Sequence, residues 1–153
     1  MNDKNVLIVM CGLPASGKST YSQWLAESGI FQRVCPDLIR KELYGDENIQ
    51  GDGAKVFKIA YRDMREYGCL SENVVFDATN INSKRRKELV ENMRGYFDII
   101  ICKWFHTPYD VCYARNQARN RQVPTEVLYR MFMNFEEPSK DEGFDIVEEI
   151  KNY

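Results

Sequence analysis

The segment Gly12-Leu13-Pro14-Ala15-Ser16-Gly17-Lys18-Ser19, followed by Thr20, fits G-x-x-x-x-G-K-[ST]. It follows the short apolar run Asn5–Met10 (NVLIVM), as expected of a buried parallel strand, and precedes a helical pattern beginning at Lys18. Few backbones serve such a stretch. Gly12 and Gly17 let the chain turn so that successive N–H groups encircle a phosphate, and the helix behind adds its positive dipole end. Lys18 supplies a full charge near the β- and γ-phosphates, and the Ser19 hydroxyl is a natural magnesium ligand.

The rest of the chain alternates in the same way. A helix is predicted over Lys18–Glu27, with Tyr21, Trp24 and Leu25 on one face, then a strand Phe31–Cys35 and a short helix Leu38–Tyr44. After the loop Gly45–Gly53 come a helix Ala54–Tyr67 closed by Gly68 and a strand Asn73–Asp77. A helix Ser83–Gly95, a strand Asp98–Phe105, helices opened by Pro108 and Pro124, and a last strand within Phe144–Ile150 complete the series. The expected fold is α/β, a parallel sheet of about five strands sandwiched by helices, with an arginine-bearing lid. Residues 1–153 read as one domain, and ligands of such sheets lie at the carboxyl ends of the strands.

No apolar run reaches the length of a membrane span, and the N-terminal apolar stretch runs straight into the glycine loop, so it reads as a strand rather than a signal peptide. Five cysteines without CxxC spacing are expected to be reduced thiols of a cytoplasmic protein. The net charge of -2 hides an uneven distribution. Residues 1–78 carry 9 Lys and Arg against 11 Asp and Glu, residues 79–130 carry 10 against 5, and residues 131–153 carry 2 against 7. The basic middle is either a solvated helix face or a phosphate-handling surface.

Candidates for receiving the phosphate follow the second and third strands. Asp37 sits where a carboxylate could take the proton of an attacking hydroxyl, and Arg40, one turn later, could bind an acceptor phosphate. The plainer reading of Asp37 is a helix N-cap. Asp77 ends a strand beside the phosphate loop, where it could hold magnesium through water or orient the acceptor; Asp37 is the other carboxylate placed for that water-mediated contact. Thr79 and Asn80 either contact the acceptor or cap the next helix. Arg115 and Arg119 share a helical face at i, i+4, from which they could close over the phosphates, with Arg121 a weaker candidate. Lys84-Arg85-Arg86-Lys87 is a nucleic-acid backbone contact or a solvated helix start, His106 is structural, and the Met and aromatic stripe Tyr129–Phe135 is core.

Five segments in order, GLPASGKST, PDLIRKEL, VVFDATNIN, RNQARNRQVP and FEEP followed by EGFD, resemble the P-loop kinases grouped with the bacteriophage-type polynucleotide 5′-kinase domain and, more distantly, the zeta toxins. The resemblance covers about Val6 to Val147. It implies a magnesium-dependent transfer of the γ-phosphoryl of ATP, or another NTP, to the 5′-hydroxyl of RNA or DNA, an activity of nucleic acid repair. Asp37 would be the general base, Arg40 would bind the phosphate beside the accepting hydroxyl, Arg119 would contact the donor phosphates, and Arg115 would lie near the nucleotide base. Pro36 and Leu38 replace the charged doublet usual around that aspartate. Many relatives join the kinase to a phosphatase or ligase module, so fusion or association with one is expected. A small-molecule or nucleotide-sugar kinase, or a nucleotide-binding regulatory module, are the alternatives on the same scaffold.

Overall fold

The computed structural model describes residues 4–151 and 153, so the ends of the expected 1–153 domain lie partly outside the described residues. In chain order the elements are β1 (Val6–Cys11), α1 (Lys18–Glu27), β2 (Phe31–Val34), α2 (Pro36–Tyr44), α3 (Gly53–Cys69), β3 (Asn73–Phe76), α4 (Ser83–Met93), β4 (Ile99–Phe105), α5 (Tyr109–Ala118), α6 (Thr125–Met133), a 3₁₀ turn (Lys140–Glu142) and β5 (Ile146–Ile150). The five strands form one parallel sheet in the order β2-β3-β1-β4-β5. Connections from β1 and β4 leave in opposite directions, and the crevice between their carboxyl ends is where such sheets bind ligands. Among the described residues no helix is long and apolar enough to cross a membrane.

The central strand β1 is apolar throughout because both its faces are covered. Leu7, Val9 and Cys11 pack with Val74, Phe76 and the buried faces of α3 and α4, while Ile8 and Met10 pack with Val75, Leu25 and Phe105. Each Leu- or Ile-sized side chain buried here contributes roughly 1.5–3 kcal/mol.

Several expectations change. Gly68 does not end its helix; it lies within α3, where a Cβ would stand 2.8 Å from Tyr96 Cβ, so the glycine permits close packing. Trp24 is 63% exposed and only Leu25 of its expected trio is buried. The stripe Tyr129–Phe135 is not core throughout: Tyr129, Phe132 and Met133 are exposed, although Met131 and Phe135 pack against Leu13, Cys112 and Leu128.

Arg86 is neither a solvated residue nor a nucleic-acid contact. Its side chain is buried on α4, and its guanidinium ties the turn before α4 to the segment Glu136–Glu142. It donates to both carboxylate oxygens of Glu142 at 2.8 and 2.9 Å, to the Asn80 carbonyl at 2.7 Å and to the Glu136 carbonyl at 2.7 Å. Ser83 adds a hydroxyl donor to Glu142 at 2.5 Å. Burial works to raise the Glu142 carboxyl, but the hydrogen bonds from Arg86 and Ser83 outweigh it and leave Glu142 below the ordinary glutamate value of 4.5. A depressed carboxylate adds stability that is present above the unfolded value and lost as pH falls through the folded one. Arg86→Ala should therefore cost about 3–5 kcal/mol at neutral pH in urea unfolding, because it strands a buried carboxylate. The deficit should narrow as pH falls, first as the stranded Glu142 of the variant, raised by burial, takes a proton above 4.5, and then as the wild-type carboxylate takes one below it.

Candidate active site

The phosphate loop is fastened on both sides of the crevice. The Gly12 N–H donates to the Thr79 carbonyl at 3.0 Å, and the Thr107 hydroxyl, at the end of β4, donates to the Ser16 carbonyl at 2.9 Å. A Cβ on Gly12 would lie 2.9 Å from the Phe105 carbonyl oxygen, and Gly17 turns with φ 108°, so neither position admits a side chain without movement. Gly17 also supplies the N-cap of α1 with no side-chain cap bond and no acid in the first turn. The first N–H groups of this ten-residue helix thus face the loop without a protein anion to satisfy them.

Lys18 is 6% exposed, and its ammonium donates to the Leu13 carbonyl at 2.8 Å inside the loop. Burial pushes it below the ordinary lysine range, against the opposing pull of Asp77. Asp77 is buried at the end of the β3 segment, where its Oδ2 accepts from Ser22 of α1 and Arg33 of β2, each at 2.7 Å. Ser22 and Arg33 carry no functional signal in the sequence. A polar residue within a helix and a cation within a short strand carry no pattern until the strands are ordered.

Neither Thr79 nor Asn80 caps α4; Asn82 does, accepting from the Arg85 N–H at 2.9 Å. Asn80 instead takes a positive φ of 47° and donates its side-chain amide to the Met10 carbonyl at 2.6 Å, bracing β1 just before the loop. Thr79 contributes its carbonyl to Gly12.

A cavity of about 790 Å³ opens above the loop, lined by Ala15 to Thr20 together with Arg115 and Arg119. The two arginines share this wall for a different reason from the expected one. Helix α5 ends at Ala118, and Arg119 is its C-cap with extended backbone, so the helical-face spacing does not apply. The turn is set instead by buried Asn116, whose side chain bonds both the N–H and the carbonyl of Val123 at 2.9 and 2.7 Å. Leu13 packs into Cys112 and Leu128, fixing the lid formed by α5 and α6 to the phosphate loop.

Across the sheet edge, the N-cap of α2 is Cys35 and Pro36 opens the helix, so Asp37 lies inside the first turn rather than capping it. Its carboxylate accepts from Arg40 at 3.0 Å and pairs with Arg121 at 3.4 Å. Arg121 also donates to the Asn48 side chain at 2.9 Å and approaches Glu47 at 3.4 Å, bridging the lid and the loop after α2. Burial lowers the Arg119 guanidinium from its usual range, Arg121 adds to the effect, and Asp37 opposes it. Among the described residues, the buried side-chain nitrogens without a hydrogen-bond partner are Arg40 Nε and Arg119 Nε.

This arrangement defines a nucleoside-triphosphate-binding domain of the P-loop kinase type: an uncapped helix behind a glycine loop, a buried lysine and a lid arginine over one cavity. The family profile described as AAA domain (AAA_33) matches residues 7–138, and the chain belongs to that family of P-loop kinase domains. It is 27% identical over 152 residues to L-seryl-tRNA(Sec) kinase of Methanococcus maripaludis, covering 92% of this chain and 56% of that protein. It is also 27% identical over 154 residues to the bifunctional polynucleotide phosphatase/kinase of Schizosaccharomyces pombe, covering 94% of this chain and 33% of that one. The fold resembles a chain of the Pnkp1/Rnl/Hen1 RNA repair complex with a TM-score of 0.77 at 19% identity, over 88% of this chain and 45% of that chain. The chain spans about half or less of the length of these relatives.

Lys18→Met should raise the Kd for ATP at least tenfold in calorimetric titration, since it removes the buried charge facing the phosphates. The same variant should lose no more than about 1 kcal/mol in urea unfolding, because the desolvation cost of the ammonium leaves with the charge.

Proposed function

We propose that the chain is a polynucleotide 5′-hydroxyl kinase that moves the γ-phosphoryl of ATP, or another NTP, to the 5′-hydroxyl end of RNA or DNA. The observation that carries this reading is the pair of buried nitrogens without a hydrogen-bond partner, Arg40 Nε beside Asp37 and Arg119 Nε on a residue of the donor cavity wall. Asp37 is bonded to the first arginine and close enough to act on the charge of the second. Arg40 would hold the acceptor phosphate, Asp37 would take the proton of the attacking hydroxyl, and Arg119 would meet charge developing on the transferring group. A regulatory module would have no use for a carboxylate base with its own arginine. The likeness to a polynucleotide phosphatase/kinase supports an acceptor hydroxyl on a nucleic acid, and the likeness to an L-seryl-tRNA(Sec) kinase supports an acceptor that includes one.

The residues fit magnesium. The Ser19 hydroxyl lies on the cavity wall, and no group of three or more His, Cys, Asp or Glu forms an all-protein cage among the described residues. That donor set suits an ion that keeps waters and phosphate oxygens, with Asp77 or Asp37 reaching it through water. When bound, the ion supplies charge neutralisation on the β- and γ-phosphates. All five cysteines are free, in keeping with a cytoplasmic setting. The bifunctional phosphatase/kinase relative supports fusion or association with a phosphatase module.

Incubation with γ-labelled ATP and a 5′-hydroxyl oligonucleotide, beside a panel of sugars and seryl-tRNA, tests the acceptor. Label is expected on the oligonucleotide, with acceptor affinity falling as salt rises; label on a sugar alone would sink the polynucleotide reading. Asp37→Ala should bind ATP normally while transfer falls at least a hundredfold, and equal turnover would remove the base assignment.

A further inference from the structure

The phosphate loop occupies one part of the donor cavity, and a row of aromatic rings lines another. The Phe105 ring stands under the loop, 3.6 Å from the place of a Cβ on Gly17. Tyr21 follows with its ring centroid 5.7 Å from Phe105, and Trp24 with its centroid 5.9 Å from Tyr21. Tyr21 and Trp24 sit three apart on one face of α1, the helix whose N-terminus faces the phosphates. Tyr21 is fixed from below, with Lys103 Nζ 5.2 Å from its ring centroid and held by Glu148 at 2.8 Å. Trp24 ends the row in solvent, 63% exposed although it is the largest apolar side chain available. The rings, Glu148 and Ile150 all line the same cavity of about 790 Å³ as the phosphate loop. That volume lies in the range of pockets that enclose a whole nucleotide-sized ligand.

We propose that Trp24 stacks on the heterocyclic base of the donor, so that the aromatic row is the base subsite of the cavity. The proposal rests on the reading of the loop as the donor site and names what holds the remainder of the donor. A flat heterocycle laid on the indole covers apolar surface that α1 otherwise leaves wet. The Tyr21 ring beneath, locked by Lys103 and Phe105, keeps the indole wall from collapsing into the groove. Stacking of this kind is tolerant of base identity, because every base presents a π-face.

Wild type and Trp24→Ala are titrated calorimetrically with ATP and, separately, with inorganic tripolyphosphate, both with magnesium. The substitution should raise the Kd for ATP about tenfold, within the range carried by one base–aromatic stack, and change that for tripolyphosphate less than twofold. Trp24→Phe retains a ring and should restore the ATP Kd to within about threefold of wild type. Equal ATP affinity in wild type and Trp24→Ala overturns the base subsite and leaves the phosphate loop untouched. Parallel weakening of ATP and tripolyphosphate also overturns it, since Trp24 would then be supporting the loop. Failure of the wild type to bind either ligand overturns the donor reading and the base subsite with it.

Discussion

A lysine charge held out of water is the constraint on which the rest of this structure depends. An isolated buried ammonium costs several kcal/mol, roughly, unless nearby groups compensate. Lys18 meets that demand with a carbonyl from its own loop and with the field of Asp77. Asp77 in turn needs donors, which come from Ser22 one turn along α1 and from Arg33 on β2. The strand order β2-β3-β1 brings these together, so the charge network and the sheet topology are one arrangement. A phosphate bound beside Lys18 would complete the compensation that protein groups leave partial.

The cluster around Asp37 obeys the same electrostatics with the signs divided differently. Arg119 and Arg121 lie two residues apart on the turn that Asn116 sets, and the charge of Arg121 adds to the burial that lowers the Arg119 guanidinium. Asp37 opposes that repulsion and is itself held by Arg40. The cluster is short of negative charge at the place where a transferring phosphoryl would carry it. Arg121 ties this turn to Asn48 and Glu47, so the lid and the loop after α2 meet over Asp37.

The parts legible in the sequence were those governed by local rules. An apolar run next to a glycine loop places β1 and α1, and an acid or arginine at a strand end falls on the ligand edge whatever the packing. Helical spacing puts Arg115 and Arg119 on one face and both line the cavity, yet the helix stops before Arg119 and a buried asparagine sets the turn that carries it. What stayed hidden depends on residues distant in the chain. Gly68 reads as a helix stop, but Tyr96 stands 2.8 Å from where its Cβ would be, 28 positions later. Arg86 reads as one of four surface cations, but Asn80, Glu136 and Glu142 converge on it. Trp24 reads as core by spacing, since periodicity does not distinguish a face that packs on protein from a face that borders a cavity.

The division of labour proposed for Asp37, Arg40 and Arg119 is tested most directly by a crystal structure with ADP, tetrafluoroaluminate and a 5′-hydroxyl oligonucleotide. The account predicts the 5′-oxygen about 2.6–3.2 Å from the Asp37 carboxylate, with Arg119 Nε donating to the planar fluoride group or the β-phosphate and Arg40 on the acceptor phosphate. A 5′-oxygen held by Asp77, or one out of reach of Asp37 while both arginine nitrogens remain unbonded, would contradict it.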